Sequence, residues 1–185
     1  MAELSLDRFS VLLAEDNPYL RTLLLQALKA MGVGTVRTVN DGGAAIEVLQ
    51  LLKDDPVRAG MMNVDIILSN WQMSPVDGLM LLRWVRRHKE SPCRFIPFVM
   101  VTGFADKEYV AQARELGVTE MLAKPFSVQS VAERVLQVIE RPRQFVHTPN
   151  YFGPDRRRQQ LASPPDGERR ILTEDEIDVV YDYGT

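Results

Sequence analysis

Between Phe9 and Glu140, short apolar runs rich in β-branched residues alternate with segments whose apolar positions recur at helical spacing. Five such pairs follow one another, a rhythm that predicts repeated βα units around a parallel sheet. SVLLA is the first strand, and the first helix opens after Asn17, with Pro18 where a missing N–H is harmless, runs to about Met31 and stops at Gly32. TVRTV predicts a second strand and AAIEVLQLL a second helix. VDIILS is apolar throughout, as befits a central strand covered on both faces. The third helix, LMLLRWVRR, starts after the turn-forming pair Asp77-Gly78. PFVMVT, then DKEYVAQARELG closed by Gly117, then EMLA and SVQSVAERVLQVIE complete the series. No longer internal repeat overlies it.

Past Glu140 the pattern ends. Pro142, Pro149, Pro154, Pro164 and Pro165, with Gly153 and Gly167, exclude a continuous helix, so residues 141–170 are expected to form an extended tail. Residues 171–185 offer Thr173 as an N-cap with Glu176 three positions on, the signal of a short helix if the segment docks. The division expected is therefore a domain at 8–140, an arginine-rich tail at 141–170 and an acidic end at 171–185.

Charge sharpens that division. Residues 1–140 hold 15 Lys/Arg against 17 Asp/Glu, residues 141–170 hold seven arginines against three acids, and residues 171–185 hold five acids and no base. A near-neutral globule is followed by a basic strip and an acidic end. One cysteine, Cys93, excludes an internal disulfide, and MAELSLDRF has neither the basic nor the apolar region of a secretory signal, so a cytoplasmic location is expected. Apolar runs are broken by charge well short of the roughly 20 residues that span a bilayer. With two histidines, no activated serine or cysteine arrangement and no second catalytic domain, an enzyme is not expected.

In an open parallel sheet, ligands sit at the carboxyl ends of the strands. The residues there form a set: Glu15 and Asp16 after the first strand, Asn70 after the third, Thr102 after the fourth and Lys124 after the fifth. Carried by LLAED, NWQMSPVDG, VMVTG and LAKPF in order, the set resembles the CheY-like receiver domain of two-component response regulators over about residues 8–140. The resemblance implies an α/β fold, a five-stranded doubly wound parallel sheet of flavodoxin-like type. It places Glu15 and Asp16 where the family holds Mg²⁺, Thr102 as the hydroxyl, Lys124 before a cis proline, and Asn70 where the phospho-accepting aspartate stands, seven positions before Asp77.

That asparagine changes the chemistry. A carboxylate oxygen attacks phosphorus to form an acyl phosphate, whereas a neutral amide is a poor nucleophile. Ordinary phosphorylation is expected to fail, and the lost charge leaves Glu15 and Asp16 a weak Mg²⁺ site at best, so no metal is assigned. The competing reading pairs the two acids with Lys124 as a structural cluster. Met121 stands three residues before the lysine, where receivers commonly carry the Tyr or Phe that reports phosphorylation by changing rotamer. The site expected is that of a pseudo-receiver.

In the tail, Arg141, Arg143, Arg156, Arg157, Arg158, Arg169 and Arg170 are all arginine, with Phe145, Tyr151 and Phe152 interleaved. Guanidinium forks pair with phosphate or with the O6/N7 edge of guanine, and the rings offer stacking faces. Asp155 can accept from the guanine N1 and N2 donors. YFGPDRRR followed by GERR resembles the arginine-rich extension of Cle proteins, CheY-like regulators that respond to cyclic di-GMP. The resemblance implies cyclic di-GMP as the ligand of the tail. It also implies a protein partner such as the flagellar motor switch or another polar or surface-attachment partner. The mechanism expected is a tail that is mobile without nucleotide and, once ordered by it, reshapes the face of the fourth and fifth helices that binds the partner. Three readings compete: a solvated tail that folds back on residues 174–178, nonspecific binding of RNA or DNA although no DNA-binding domain is evident, and docking to anionic lipid. A constitutive adaptor that binds its protein partner without nucleotide is the alternative in a different class.

Overall fold

The computed structural model describes residues 5–55, 63–92, 94–103, 106–156 and 178–180. Strands β1 (Ser10–Ala14), β2 (Thr35–Val39), β3 (Ile66–Asn70), β4 (Phe98–Thr102) and β5 (Glu120–Ala123) form one parallel sheet in the order β2-β1-β3-β4-β5. They alternate with helices α1 (Pro18–Ala30), α2 (Gly42–Asp54), α3 (Gly78–Arg87), α4 (Lys107–Glu115) and α5 (Val128–Glu140). The five βα pairs read from the sequence are thus present in order, in the flavodoxin-like topology.

Strand alternation divides the core. Val11, Leu13, Ile66, Leu68, Val99 and Val101 point to one face, where they meet Leu24 and Leu28 of α1 and Val131 and Val135 of α5. Leu12, Ala14, Ile67, Phe98 and Met100 point to the other, against Ala45 and Leu49 of α2, Leu81, Leu82 and Val85 of α3, and Ala113 of α4. Both faces are covered, which is why VDIILS reads as an unbroken apolar run. Four of the five helices begin on side-chain caps that satisfy first-turn N–H groups: Asn17 for α1, Asp41 for α2, Asp77 for α3 and a reciprocal Ser127/Ser130 pair for α5.

Residues 141–156 depart from the expected extended tail. Phe145–Thr148 (β6) and Tyr151–Pro154 (β7) form an antiparallel hairpin through a two-residue turn at Pro149 and Asn150. Asp178–Val180 (β8) pairs antiparallel with β6, so this part of the acidic end is strand and not helix. The prolines that argue against a helix are compatible with a hairpin: Pro149 occupies the turn and Pro154 the last position of a strand. Thr173 and Glu176, on which the expected helix rested, lie outside the described residues.

The hairpin packs on the receiver-like body at the amino ends of β4 and β5. Phe145 and Phe152 are buried, with ring centroids 5.2 and 5.4 Å from Phe95. Arg94 lies 3.4 Å over the Phe152 ring. Beneath them Arg86, 1% exposed, donates through Nε to Gly117 O at 2.9 Å and through Nη1 to Arg94 O and Ile96 O, both at 2.8 Å, with its carbon Cζ 5.1 Å from the Phe145 centroid. Thr119 ties the layers together: its Oγ1 accepts from Phe98 N and Arg86 Nη2, and its carbonyl accepts from Arg143.

Hairpin and body pass close to one another at Gly117 and Gly153. A Cβ on Gly153 would fall 2.6 Å from Gly117 Cα and 2.6 Å from Tyr151 Oη, contacts that no side chain tolerates. Gly153→Ala is therefore expected to weaken docking of the hairpin by about 1–3 kcal/mol, the usual cost of overpacking. Trypsin should then cleave after Arg143 faster than in the wild type, while the melting transition of the α/β body stays in place. Equal cleavage rates would show that this approach does not hold the hairpin.

Candidate functional site

The carboxyl ends of β1, β3 and β5 bring Glu15, Asp16, Asn70 and Lys124 together. Glu15 is fully buried, capping the inner end of β1, and Asn70 is 6% exposed at the last position of β3. The Asn70 amide donates from Nδ2 to Glu15 Oε1 at 3.0 Å, to Asp16 Oδ1 at 3.1 Å and to Gln72 O at 2.7 Å. Its Oδ1 accepts from Lys124 Nζ at 3.0 Å, and the same ammonium reaches Glu15 Oε2 at 3.2 Å. The amide orientation follows from this network, since a flipped Asn70 would set its oxygen against three acceptors and its NH₂ against an ammonium.

Local sequence explains the convergence. Gly78 lets the loop after Asn70 close: a Cβ there would collide with the Asn70 carbonyl, the Met100 sulfur and the Ser69 hydroxyl. Asp77 then caps α3 by accepting from Met80 N at 2.7 Å. Lys124 is set by its backbone N–H, 2.7 Å from Thr102 O, and precedes a cis peptide bond to Pro125. Thr102 itself is buried at the end of β4 and is joined to the cluster through that backbone bond. Met121 is half-buried among the α2–α4 side of the core.

Burial pushes the Glu15 carboxyl above its ordinary value, and the proton it shares with Asp16 acts in the same direction. The Asn17 N–H and the Lys124 ammonium pull it back without cancelling the shift. Asp16 also meets a desolvation penalty, but hydrogen bonds from Glu15, Asn70 and the backbone N–H groups of Asp16 and Asn17 outweigh it, so Asp16 lies below the usual range. Mg²⁺ needs oxygen ligands with free lone pairs. Here an NH₂ group occupies the space between the two acids and an ammonium takes the outer Glu15 oxygen, so the residues present do not fit a divalent cation. Among the described residues no group of three or more His, Cys, Asp or Glu side chains is placed to hold a metal.

A family model for the response regulator receiver domain matches residues 11–136. The chain belongs to the response regulator receiver family. Relatives include the chemotaxis protein CheY of Pseudomonas aeruginosa, 27% identical over 131 residues that make up 71% of this chain and 96% of that one. Chemotaxis protein CheY-3 of Vibrio cholerae is 25% identical over 71% of this chain and 92% of its own. Among solved structures, a response regulator from Chloroflexus aurantiacus superposes with a TM-score of 0.60 at 25% identity, covering 72% of this chain and 98% of that one. The chemotaxis regulator CheY4 of Vibrio cholerae gives 0.57 at 24% identity over 70% of this chain and 98% of its own, which is likeness of fold alone. The receiver family model therefore ends before the hairpin.

The tail residues singled out by sequence are divided by the structure. Arg143 holds the hairpin to the body through Thr119 O and Asp155 O. Phe152, expected to offer a face to a base, is instead buried under Arg94. Tyr151 remains half-buried, its hydroxyl donating to Pro154 O at 2.7 Å and its ring 4.1 Å below the Arg156 guanidinium. Burial raises the Tyr151 pKa, against the opposing pull of Arg156. Arg141 ends α5 with its backbone N–H on Gln137 O. Arg157, Arg158, Arg169 and Arg170 lie outside the described residues. Sequence reasoning missed Arg83, Arg86, Arg87 and Arg94, which border the hairpin. The four-residue spacing of Arg83 and Arg87 was the available signal of a shared helix face.

Replacing Lys124 by Met removes the ammonium from a buried carboxylate, which is expected to cost roughly 2–4 kcal/mol at pH 8. The sign follows from Glu15. A carboxyl raised in the folded state contributes stability that is fully present below its unfolded value of 4.5 and is lost as pH rises through the folded value. Lys124→Met raises Glu15 further, so the gap between variant and wild type should open from about pH 5 to pH 8 and close toward pH 4.5. Asp16 contributes in the opposite sense, losing its stabilisation as pH falls through its lowered value, equally in both proteins. Urea unfolding at the two pH values reads the difference, and a gap independent of pH would assign Lys124 to packing alone.

Proposed function

We propose that this receiver-family protein signals without phosphorylation, binding cyclic di-GMP through its arginine-rich C-terminal segment and then engaging a protein partner through the face of α4 and α5. The observation that carries the first part is the closed network of Asn70, Glu15, Asp16 and Lys124. An amide there presents no carboxylate oxygen to phosphorus, and its NH₂ satisfies the two acids that a metal would otherwise need. The nucleotide is supported by the chemistry of the tail: Arg156 stacked on Tyr151 beside Asp155, followed in sequence by Arg157 and Arg158. Two relatives carry the name chemotaxis protein, which favours a motility partner such as the flagellar motor switch and a site of action in the cytoplasm. No helix among the described residues is long and apolar enough to cross a membrane. No catalytic role is assigned.

A constitutive adaptor is the second reading, favoured by the same closed network, because a site satisfied by its own residues gives the helix face nothing to switch it. Affinity for the partner with and without nucleotide separates the two.

Wild-type protein incubated with Mg²⁺ and acetyl phosphate should gain no phosphoryl group by intact mass. Asn70→Asp should gain one, its carboxylate attacking phosphorus and releasing acetate. Stable phosphorylation of the wild type would end the phosphorylation-independent reading. For the ligand, isothermal titration should show binding of cyclic di-GMP but not GTP, lost when Arg156 and Arg157 are both changed to alanine. Absence of binding heat at low and moderate salt would leave the adaptor.

A further inference from the structure

A groove of about 730 Å³ runs between the hairpin and the outer sides of α3 and α4. A second hollow of about 470 Å³ adjoins it, sharing Glu115, Tyr151 and Arg156. Both lie at the amino-end pole of the sheet, away from Asn70. Arg83 and Arg87 line the first groove from α3, Arg156 and Asp155 from the end of the hairpin, and Glu115 from the last turn of α4. Spaced four residues apart on one helix, the two α3 arginines are exposed on a common face and form no ion pair with another described residue.

We propose that this groove holds the cyclic dinucleotide and that Arg83 and Arg87, in the receiver body, grip its phosphates together with Arg156 of the tail. The inference rests on the reading of the chain as a cyclic di-GMP effector and adds to it where the ligand sits and which residues outside the tail hold it.

Three features carry it. The volume falls within the range of about 300–1,000 Å³ usual for small-molecule sites. The lining mixes three guanidinium groups with two carboxylates, a combination poorly suited to a bare polyanion, which Glu115 and Asp155 repel. A ligand carrying both phosphate and guanine matches it: arginine forks take phosphate oxygens or the O6/N7 edge, and a carboxylate takes the N1–H and N2–H donors of the same base. The Arg156–Tyr151 stack adds a flat platform, cationic on its upper layer, on which a purine can continue the stack. Adenine has no N1–H, so cyclic di-AMP would set an acceptor against each carboxylate. A ligand seated there touches the hairpin and the receiver body at once and clamps one to the other.

The test is isothermal titration of the full chain with cyclic di-GMP and cyclic di-AMP, using the wild type, Arg156→Ala, and the double variant Arg83→Ala/Arg87→Ala. Loss of two phosphate contacts should weaken cyclic di-GMP at least about tenfold in the double variant, with an unchanged melting transition, and cyclic di-AMP should bind the wild type at least about tenfold more weakly than cyclic di-GMP. Should Arg156→Ala abolish binding while the double variant stays within twofold of the wild type, the ligand lies on the tail alone and the groove is overturned, although the effector reading survives. No binding by the wild type overturns both. As a readout independent of those variants, saturating cyclic di-GMP should slow tryptic cleavage after Arg143 in the wild type, and unslowed cleavage under saturation would remove the clamp.

Discussion

The burial of Arg86 is the constraint around which the C-terminal part of the molecule is arranged. A guanidinium does not shed its charge inside a protein, so its donors must all be met when water is removed. Arg86 meets four of its five with the carbonyls of Arg94 and Ile96 before β4 and of Gly117 before β5, and with the Thr119 hydroxyl. These are backbone groups that no sheet ladder claims, so one side chain supplies donors to two loops that would otherwise turn their acceptors inward. What is left exposed of the guanidinium plane is covered by Phe145. Hairpin and arginine are therefore mutually dependent: without the ring the cation borders water, and without the cation the loops have no common floor on which Phe145 and Phe152 can rest.

The opposite pole shows a different use of charge. At the carboxyl ends of the strands, an ammonium, an amide and two acids satisfy one another in a closed set. Each bond uses a lone pair or a proton that metal and phosphate chemistry would require, so the set is closed by its own hydrogen bonds. The raised Glu15 shows that this closure carries a cost: burial is not fully offset by Lys124. The two poles thus differ in kind, one sealed and internally paired, the other an open groove with several cationic side chains on its walls.

The α/β body was legible because its signals are local. Apolar runs, caps at Asn17, Asp41 and Asp77, and stops at Gly32 and Gly117 each act within a few residues, and the carboxyl-end rule then places Glu15, Asp16, Asn70 and Lys124 in one cluster with no further information. The hairpin was not legible because its prolines signal only what they exclude, and β8 was not because Phe145 pairs with Val180 across 35 residues of sequence. The opposed charges of residues 141–170 and 171–185 did point to a return of the chain on itself, although the pairing found is between backbones at 178–180. Arg86 illustrates the limit best. On α3 it reads as one of three arginines on a solvent face, and only the tertiary cover of Phe145 and the loops before β4 and β5 separates it from Arg83 and Arg87.

Helix α4 is the element that the two poles share. Tyr109 in its first turn meets Trp71, the residue after Asn70, edge-on at 5.6 Å and 88°, while Glu115 in its last turn lines the groove beside the hairpin. Nine residues of helix span about 13 Å, short enough to move as one rigid body. A receiver that responds to phosphate drives this region from the carboxyl end, through the acceptor and the hydroxyl of β4. Here that end is fixed by its own hydrogen bonds, and the half-buried thioether of Met121 specifies no pair of alternative rotamers. The other end of α4, where Glu115 and the hairpin line the same groove, is the end left open. The carboxyl-end cluster is thus the internally bonded end of the helix, and under the proposed reading the groove end is where a bound nucleotide would have leverage on the face offered to a partner.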